Sequence, residues 1–234
     1  MIEIFKRYGI DLTEDQEQKL EEYYRLLVSY NEKVNLTAVT DRDDVIKTHF
    51  LDSALILSSQ ISMDFPSDKI RVLDVGTGAG FPGMVLAILR PEWDIVLLDS
   101  LRKRIDFLNV VSEKLQLNNV FSIHGRAEEL ARDENYREGF DLVVSRAVAE
   151  LRLLLELCVP FVNSDGRFVS YKGPKYHDEI ASATNALAEL DCAEPKVMSM
   201  SVFDTERFLL EISRDGELSE KYPRRAGIPA KRPL

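Results

Sequence analysis

The stretch LDVGTGAGFPG, Leu73–Gly83, decides the fold. It follows the apolar run IRVLDV (Ile70–Val75), a buried-strand candidate, and Pro82 stands where a helix takes its first turn, leading into Gly83–Arg90. Strand, glycine turn and helix in that order are the context a ligand-binding glycine loop requires. Glycine lets the chain reverse tightly and lets a ligand approach where a Cβ would intrude. The loop parses as GxGxG over Gly76–Gly80, with Asp74 two residues ahead, and as GxGxxG over Gly78–Gly83. Asp99, 21 residues past Gly78, ends the next apolar run, IVLLD (Ile95–Asp99), where a carboxylate accepts hydrogen bonds from adjacent ribose hydroxyls.

Downstream, short apolar runs alternate with helical patterns. Further strands are expected at Val120–His124, Phe140–Ser145 and Gly166–Lys172, with helices at about Arg102–Gln116, Glu150–Phe161 and Tyr176–Leu190. Two last strands, Lys196–Val202 and Arg207–Ser213, form an antiparallel end. The pattern predicts an α/β fold with a mainly parallel sheet and helices on both faces. Upstream, Thr13 and Gln16 make a capping-box start, and Leu20, Tyr23, Tyr24, Leu27, Tyr30 and Val34 follow on one helical stripe. A loop is expected at Asn35–Asp44. A second helix then runs from about Val45 to Ile61, with Ile46, Phe50, Ala54 and Leu57 on one face, and Ser62–Lys69 reads as a connector. The organisation expected is an N-terminal helical segment (1–66), a core (67–215) and a basic, proline-containing tail (216–234).

The 234 residues carry 30 Lys+Arg and 40 Asp+Glu, a formal −10. Hydrophobic content of 45% and charged content of 30% are those of an ordinary soluble globular chain, long enough to bury a core without staples. Cys158 and Cys192 form no CxxC pair, which excludes a zinc-finger framework and suits buried thiols in a reducing compartment. No apolar run approaches the roughly 18 residues of a membrane span, and MIEIFKRYGI lacks an export-signal pattern, so a cytoplasmic location is expected. The last 14 residues, KYPRRAGIPAKRPL, hold five basic and no acidic side chains: Lys221, Arg224, Arg225, Lys231 and Arg232. The preceding 220 residues hold 25 basic against 40 acidic, a formal −15. Such an asymmetry suits contact with a polyanion, and equally a solubilising, frayed end.

Two cofactors suit the glycine loop. The pyrophosphate of a nicotinamide dinucleotide wants a helix N-terminus free of competing anions. Asp74 just ahead of the glycines better suits S-adenosylmethionine, whose α-ammonium a carboxylate can help hold, though Asp74 also reads as a turn residue capping backbone N–H groups.

Taken together, several segments resemble a known family. They are Asn35–Ala38, His49–Ser53, Asp74–Gly83, Leu98–Leu101 with Lys103 and Arg104, Gly125–Glu128, Ser145–Ala149, Tyr171–Gly173 and Tyr222–Leu234. In that order, spanning almost the whole chain, they are similar to the RsmG (GidB) family of bacterial small-subunit rRNA guanine-N7 methyltransferases. Met84-Val85 departs from the Ile-Pro pair common there, at a helix position. The resemblance implies a Rossmann-like class I methyltransferase fold with a seven-stranded sheet, binding S-adenosylmethionine. Gly76 and Phe81 would line the cofactor, Ala127 and Glu128 would meet its adenosine end, and Arg146 would lie between cofactor and substrate entrance. Gly78 in the loop and Asp99 as ribose ligand complete the expected cofactor set. From the residues alone, Glu128 also reads as a first-turn helix acid, Arg146 as a surface ion-pair partner, and His49 with Asp52 as an intrahelical contact.

The implied substrate is 16S rRNA, within the small ribosomal subunit. Guanine N7 carries a lone pair and no proton, so methyl transfer to it is a direct in-line displacement that needs no general base. No catalytic acid, base or nucleophile is therefore assigned. Phe81 and Tyr171 are candidates for a stacking face, with core packing as the alternative. Lys172, Arg224, Arg225, Lys231 and Arg232 are the expected RNA contacts, through phosphates. Methylation of a small molecule or protein, a nicotinamide oxidoreductase and a non-catalytic RNA-binding assembly factor are the other readings.

Overall fold

The computed structural model describes residues 1–59 and 69–234. Of the connector expected over Ser62–Lys69, residues 62–68 lie outside the described residues, as do the helix end at Ile61 and the boundary at 66. Two N-terminal helices, α1 (Ile2–Lys6) and α2 (Glu14–Val34), precede the core. Thr13 caps α2 as its sequence indicates: its hydroxyl accepts from Gln16 N, and the Gln16 side chain accepts from Thr13 N. The next helix starts earlier than expected, because the Asp41 carboxylate caps α3 (Arg42–Val45) by accepting from Asp43 N and Asp44 N. The helical path continues through a π-helical turn at Ile46–Leu51, α4 (Asp52–Ala54) and a 3-10 turn at Leu55–Ser58.

Seven strands follow: β1 (Arg71–Val75), β2 (Asp94–Asp99), β3 (Val120–His124), β4 (Phe140–Arg146), β5 (Val162–Lys172), β6 (Lys196–Val202) and β7 (Thr205–Ile212). Their spatial order is β3-β2-β1-β4-β5-β7-β6. The first five pair in parallel, while β7 runs antiparallel between β5 and β6. Alternation at a period of two sends strand residues to opposite faces. Val72, Ile95, Leu97, Leu142 and Val144 join the first two helices, the 45–57 stretch, α5 (Gly83–Leu89) and α6 (Arg102–Lys114) in one hydrophobic cluster. Leu73, Val75, Val96, Leu98 and Val143 join the other cluster, with α7 (Ala127–Leu130), α8 (Leu151–Cys158), α9 (Tyr176–Ser182) and α10 (Thr184–Glu189).

The helix expected at Tyr176–Leu190 is thus two, separated at Ala183, and the one expected through Phe161 tightens to a 3-10 turn at Val159–Phe161 that contains Pro160. The N-terminal helices share a continuous core with one face of the sheet. The tail, ending in α11 (Ile228–Lys231), packs on the other through Leu218 and Tyr222. Chain order reverses at β1, between β2 and β4. In doubly wound sheets the ligand crevice opens beyond the carboxyl ends of the strands at such a point.

Candidate active site

Five of the expected residues, Gly76, Gly78, Phe81, Asp99 and Arg146, converge there because of where their strands end. The glycine loop leaves β1, Asp99 ends β2, and Arg146 ends β4. The loop is held from inside. Asp74, fully buried, accepts through Oδ2 from Thr77 Oγ1 at 2.7 Å and from Gly83 N at 2.8 Å. Its Oδ1 is buried without a hydrogen-bond partner, and burial pushes the carboxyl up to about 6. The residue thus caps the turn, one of its two expected roles, and does not open into the cleft. Asp99 holds the loop from the side: Oδ2 accepts from Gly78 N at 2.9 Å and Arg104 Nη1 at 3.0 Å, while Oδ1 accepts from Leu101 N at 2.9 Å.

Two glycines explain the loop's composition. Gly80 has φ +103°, and a Cβ there would lie 2.5 Å from the Tyr23 hydroxyl. Gly78 has φ +62°, but a Cβ there would meet nothing nearer than Gly76 O at 3.9 Å, so its open side faces the cleft. Tyr23, on α2, donates its buried hydroxyl to Ala79 O, tying the N-terminal segment to the loop. Its ring continues through Phe50 and Phe81, with centroids 5.4 and 5.6 Å away.

A cleft of about 400 Å³ lies over this loop, lined by Gly76, Gly78, Phe81, Asp99 and Arg146, together with Thr37, His49 and Arg104. A second cleft of about 590 Å³ adjoins it, lined by Asp52, Tyr171, Lys172, Glu179 and Arg207 among others. His49, Arg146, Ala147 and Val148 line both. The smaller cleft fits a nucleoside-bearing ligand: open backbone at Gly78, the Phe81 and Val148 side chains in its wall, and the buried Asp99 carboxylate, which retains acceptor capacity beyond its three N–H donors.

His49 stacks on Phe81 with centroids 4.6 Å apart, and its Nε2 lies 2.8 Å from Thr37 Oγ1. Burial and the nearby Arg146 guanidinium lower its pKa to about 4, so the ring is neutral at physiological pH. Arg146 lies over the Phe81 ring at 5.2 Å and donates to Asp52 Oδ2 at 2.6 Å. Asp52 therefore pairs with arginines and not with His49. Phe81 and Tyr171, each 6% exposed, are core residues at the cleft walls, and Tyr171 donates its hydroxyl to Ser53 O.

The remaining expected residues sit elsewhere. Ala127 and Glu128 are buried and line neither cleft, and Glu128 Oε1 accepts from Gly227 N at 3.0 Å. Arg224 makes a two-pronged pair with Glu156, with Nε and Nη2 at 2.8 and 2.6 Å, and Glu156 is fully buried. The tail is thus latched rather than frayed, and the Arg224 guanidinium is committed within the protein. Lys172 is committed likewise, donating to Glu179 at 2.5 Å and to Ala149 O at 2.8 Å. Arg225, Lys231 and Arg232 are exposed, and their side chains make no ion pair among the described residues.

Sequence reasoning passed over Arg104, Thr77, Tyr23 and the pairing of Asp52 with Arg146 and Arg207. The available signal was Asp52 itself, a lone charge in the apolar run LDSALIL (Leu51–Leu57), since a carboxylate on a buried helix face needs a partner.

The chain is similar to known proteins. Proteins named ribosomal RNA small subunit methyltransferase G are 41% identical in Streptococcus pneumoniae, over 97% of this chain and 94% of that protein, and 42% identical in Clostridium botulinum over the same shares. Among solved structures, a ribosomal protein L11 methylase from Lactobacillus delbrueckii aligns with TM-score 0.53 at 18% identity, covering 72% of this chain and 79% of that one. A variant of MtNAS in complex with S-adenosylmethionine aligns with TM-score 0.57 at 12% identity, covering 85% and 76%. The fold is that of S-adenosylmethionine-dependent methyltransferases. Residues 16–207 match the GidB family, described as rRNA small subunit methyltransferase G, and the chain belongs to that family.

Proposed function

We propose that the protein transfers a methyl group from S-adenosylmethionine to N7 of a guanine in 16S rRNA of the small ribosomal subunit. The observation that carries this reading is the common wall of the two clefts at His49, Arg146, Ala147 and Val148, which lets a donor over the glycine loop and an acceptor base meet. Bound in the smaller cleft, S-adenosylmethionine supplies an electrophilic methyl on a cationic sulfur. Gly76, Gly78, Phe81, Asp99 and Arg146 would hold it. Ala127 and Glu128 line neither cleft and are left out of this set, and Glu128 instead holds the tail through Gly227 N.

The chain contributes alignment and exclusion of water, because N7 has no proton to remove. A neutral His49 suits such a site, since it adds no charge beside a purine ring that becomes cationic on methylation. Recognition of RNA phosphates falls to Arg225, Lys231 and Arg232, with Arg224 anchoring the segment that presents them. Three free cations on an acidic chain are a thin footing for naked RNA, which favours an assembled subunit as substrate. No helix among the described residues is long and apolar enough to cross a membrane, in keeping with cytoplasmic work on ribosomes.

The test is tritiated methyl transfer to small subunits lacking the modification, followed by nucleoside analysis. Label as 7-methylguanosine is expected, and label in another nucleoside overturns the choice of base. Gly78→Ala, placing a methyl group in the cleft, should abolish cofactor binding while the protein stays folded.

A further inference from the structure

The larger cleft holds a charge arrangement of which only Arg146 also borders the methyl-donor site. Asp52, 6% exposed, accepts from Arg146 Nη1 through Oδ2 at 2.6 Å and from Arg207 Nε through Oδ1 at 2.8 Å. The three residues come from α4, β4 and β7, so the cluster is assembled by the fold and not by local sequence. One carboxylate between two guanidinium groups leaves one positive charge uncompensated. The neighbouring Lys172 is already matched by Glu179. Glu150, which also lines this cleft, pairs with Arg152, so the uncompensated charge is confined to the Asp52 cluster and marks where an anion is received.

The donors point the same way. Arg146 Nη1 is shared among Asp52 and the carbonyls of Thr48 and His49, at 3.2 and 3.5 Å. Arg207 Nη1 reaches the Glu206 carbonyl at 3.4 Å. Nε and Nη2 of Arg146 and Nη2 of Arg207 have no hydrogen-bond partner among the described residues. The free Nε and Nη2 of Arg146 match the paired oxygens of a phosphodiester, and Nη2 of Arg207 adds a single charged donor.

We propose, resting on the rRNA reading above, that Arg146 and Arg207 form a receptor for a phosphodiester of the RNA strand that delivers the target nucleotide, with Asp52 as the positioning residue that fixes both. A phosphodiester is favoured over the base itself because methylation makes the purine ring cationic, and an unmatched cation against that ring would oppose product formation. It is favoured over the cofactor's carboxylate because Arg207 lines the larger cleft and not the one above the glycine loop.

The test compares wild type with Arg207→Ala, Arg207→Lys and Asp52→Asn. It reads the Kd for small subunits by filter binding at several salt concentrations, the Kd for S-adenosylmethionine by calorimetry, and KM and kcat for methyl transfer. Arg207→Ala should weaken subunit binding about tenfold, as losing a charged hydrogen bond does, with cofactor affinity unchanged. It should also reduce the log–log salt slope by about 0.7–0.9. Arg207→Lys should recover the slope but not the full affinity, since a lysine cannot bond Asp52 through one nitrogen while presenting another to the phosphate. Asp52→Asn is the discriminating variant. It makes the cleft more positive, so net charge alone would tighten RNA binding, whereas loss of positioning weakens it and raises KM. Unchanged Kd and slope in Arg207→Ala, or tighter binding in Asp52→Asn, overturns the receptor. A matching loss of cofactor affinity in Arg207→Ala reassigns the arginine to the cofactor's carboxylate. Wild type that binds subunits but labels no guanine refutes the base assignment instead, and the binding arms still decide the receptor.

Discussion

The N-terminal and C-terminal segments of the chain lie on opposite faces of the sheet and are held there by different means. On one, the N-terminal helices are embedded through Phe5, Leu20, Tyr23, Leu27 and Phe50, all fully buried and continuous with the strand side chains. On the other, the tail is strapped down largely by polar contacts. Arg224 grips Glu156, Gly227 N–H donates to Glu128, and Arg137 donates to the carbonyls of Tyr222 and Ser219. The first covering is driven by removal of apolar surface from water and is indifferent to pH and salt over ordinary ranges. The second depends on charge, so the tail is held in a condition-dependent way that the N-terminal segment is not.

Phe50→Ala should produce the largest loss, about 3–5 kcal/mol in urea unfolding, because the ring is fully buried between Tyr23 and Phe81. A loss below about 1 kcal/mol would mean that the N-terminal cover is loosely packed and would erase the contrast. Arg224→Ala should cost about 2–3 kcal/mol by stranding the buried Glu156 carboxylate, less than a wholly buried pair because the Arg224 side chain is 26% exposed. The double variant Glu156→Leu with Arg224→Met should recover most of that. A double variant as unstable as the single would show that the latch matters for its shape and not for its charge.

A smaller effect tests the exception on the apolar face, where Asp74 is buried with neutral donors only. Its carboxyl titrates near 6 in the folded protein, above its ordinary value of 3.8. Between those values the folded state holds more protons than the unfolded one. Its contribution is therefore nearly complete at about pH 4 and is lost as pH rises through 6, a change of about 3 kcal/mol in full and about 2 kcal/mol between pH 4 and 7. The stability difference between wild type and Asp74→Asn, measured by urea unfolding from pH 4 to 7, should carry this slope. A pH-independent difference would mean that Asp74 is better solvated than its burial indicates.

The sequence made some of this legible and not the rest, for physical reasons. β3 and β6 begin and end where their residue patterns place them, and the Thr13 capping box forms as written, because each is fixed by near neighbours. The glycine loop and Asp99 were readable because strand, turn and carboxylate keep a set spacing. The break at Ala183 and the π-helical turn at Ile46–Leu51 depend on tertiary packing and leave no local signature. Asp52 meets Arg146 across 94 positions and Arg207 across 155, and Glu156 meets Arg224 across 68. Opposite charges advertise that a pair exists without saying which one. Five basic residues at the end of the chain therefore looked alike, although the fold commits Lys221 to Glu189 and Arg224 to Glu156 and leaves Arg225, Lys231 and Arg232 exposed.

The bond from the Tyr23 hydroxyl to the Ala79 carbonyl has a consequence for anyone recombining such enzymes. It makes the first helices part of the wall behind the donor cleft, so they are not an interchangeable module. A chimera that joins the N-terminal third of one homologue to the catalytic portion of another would have to carry residues 23 and 79–81 from a single parent. Crossovers placed beyond β7 would disturb only the strap.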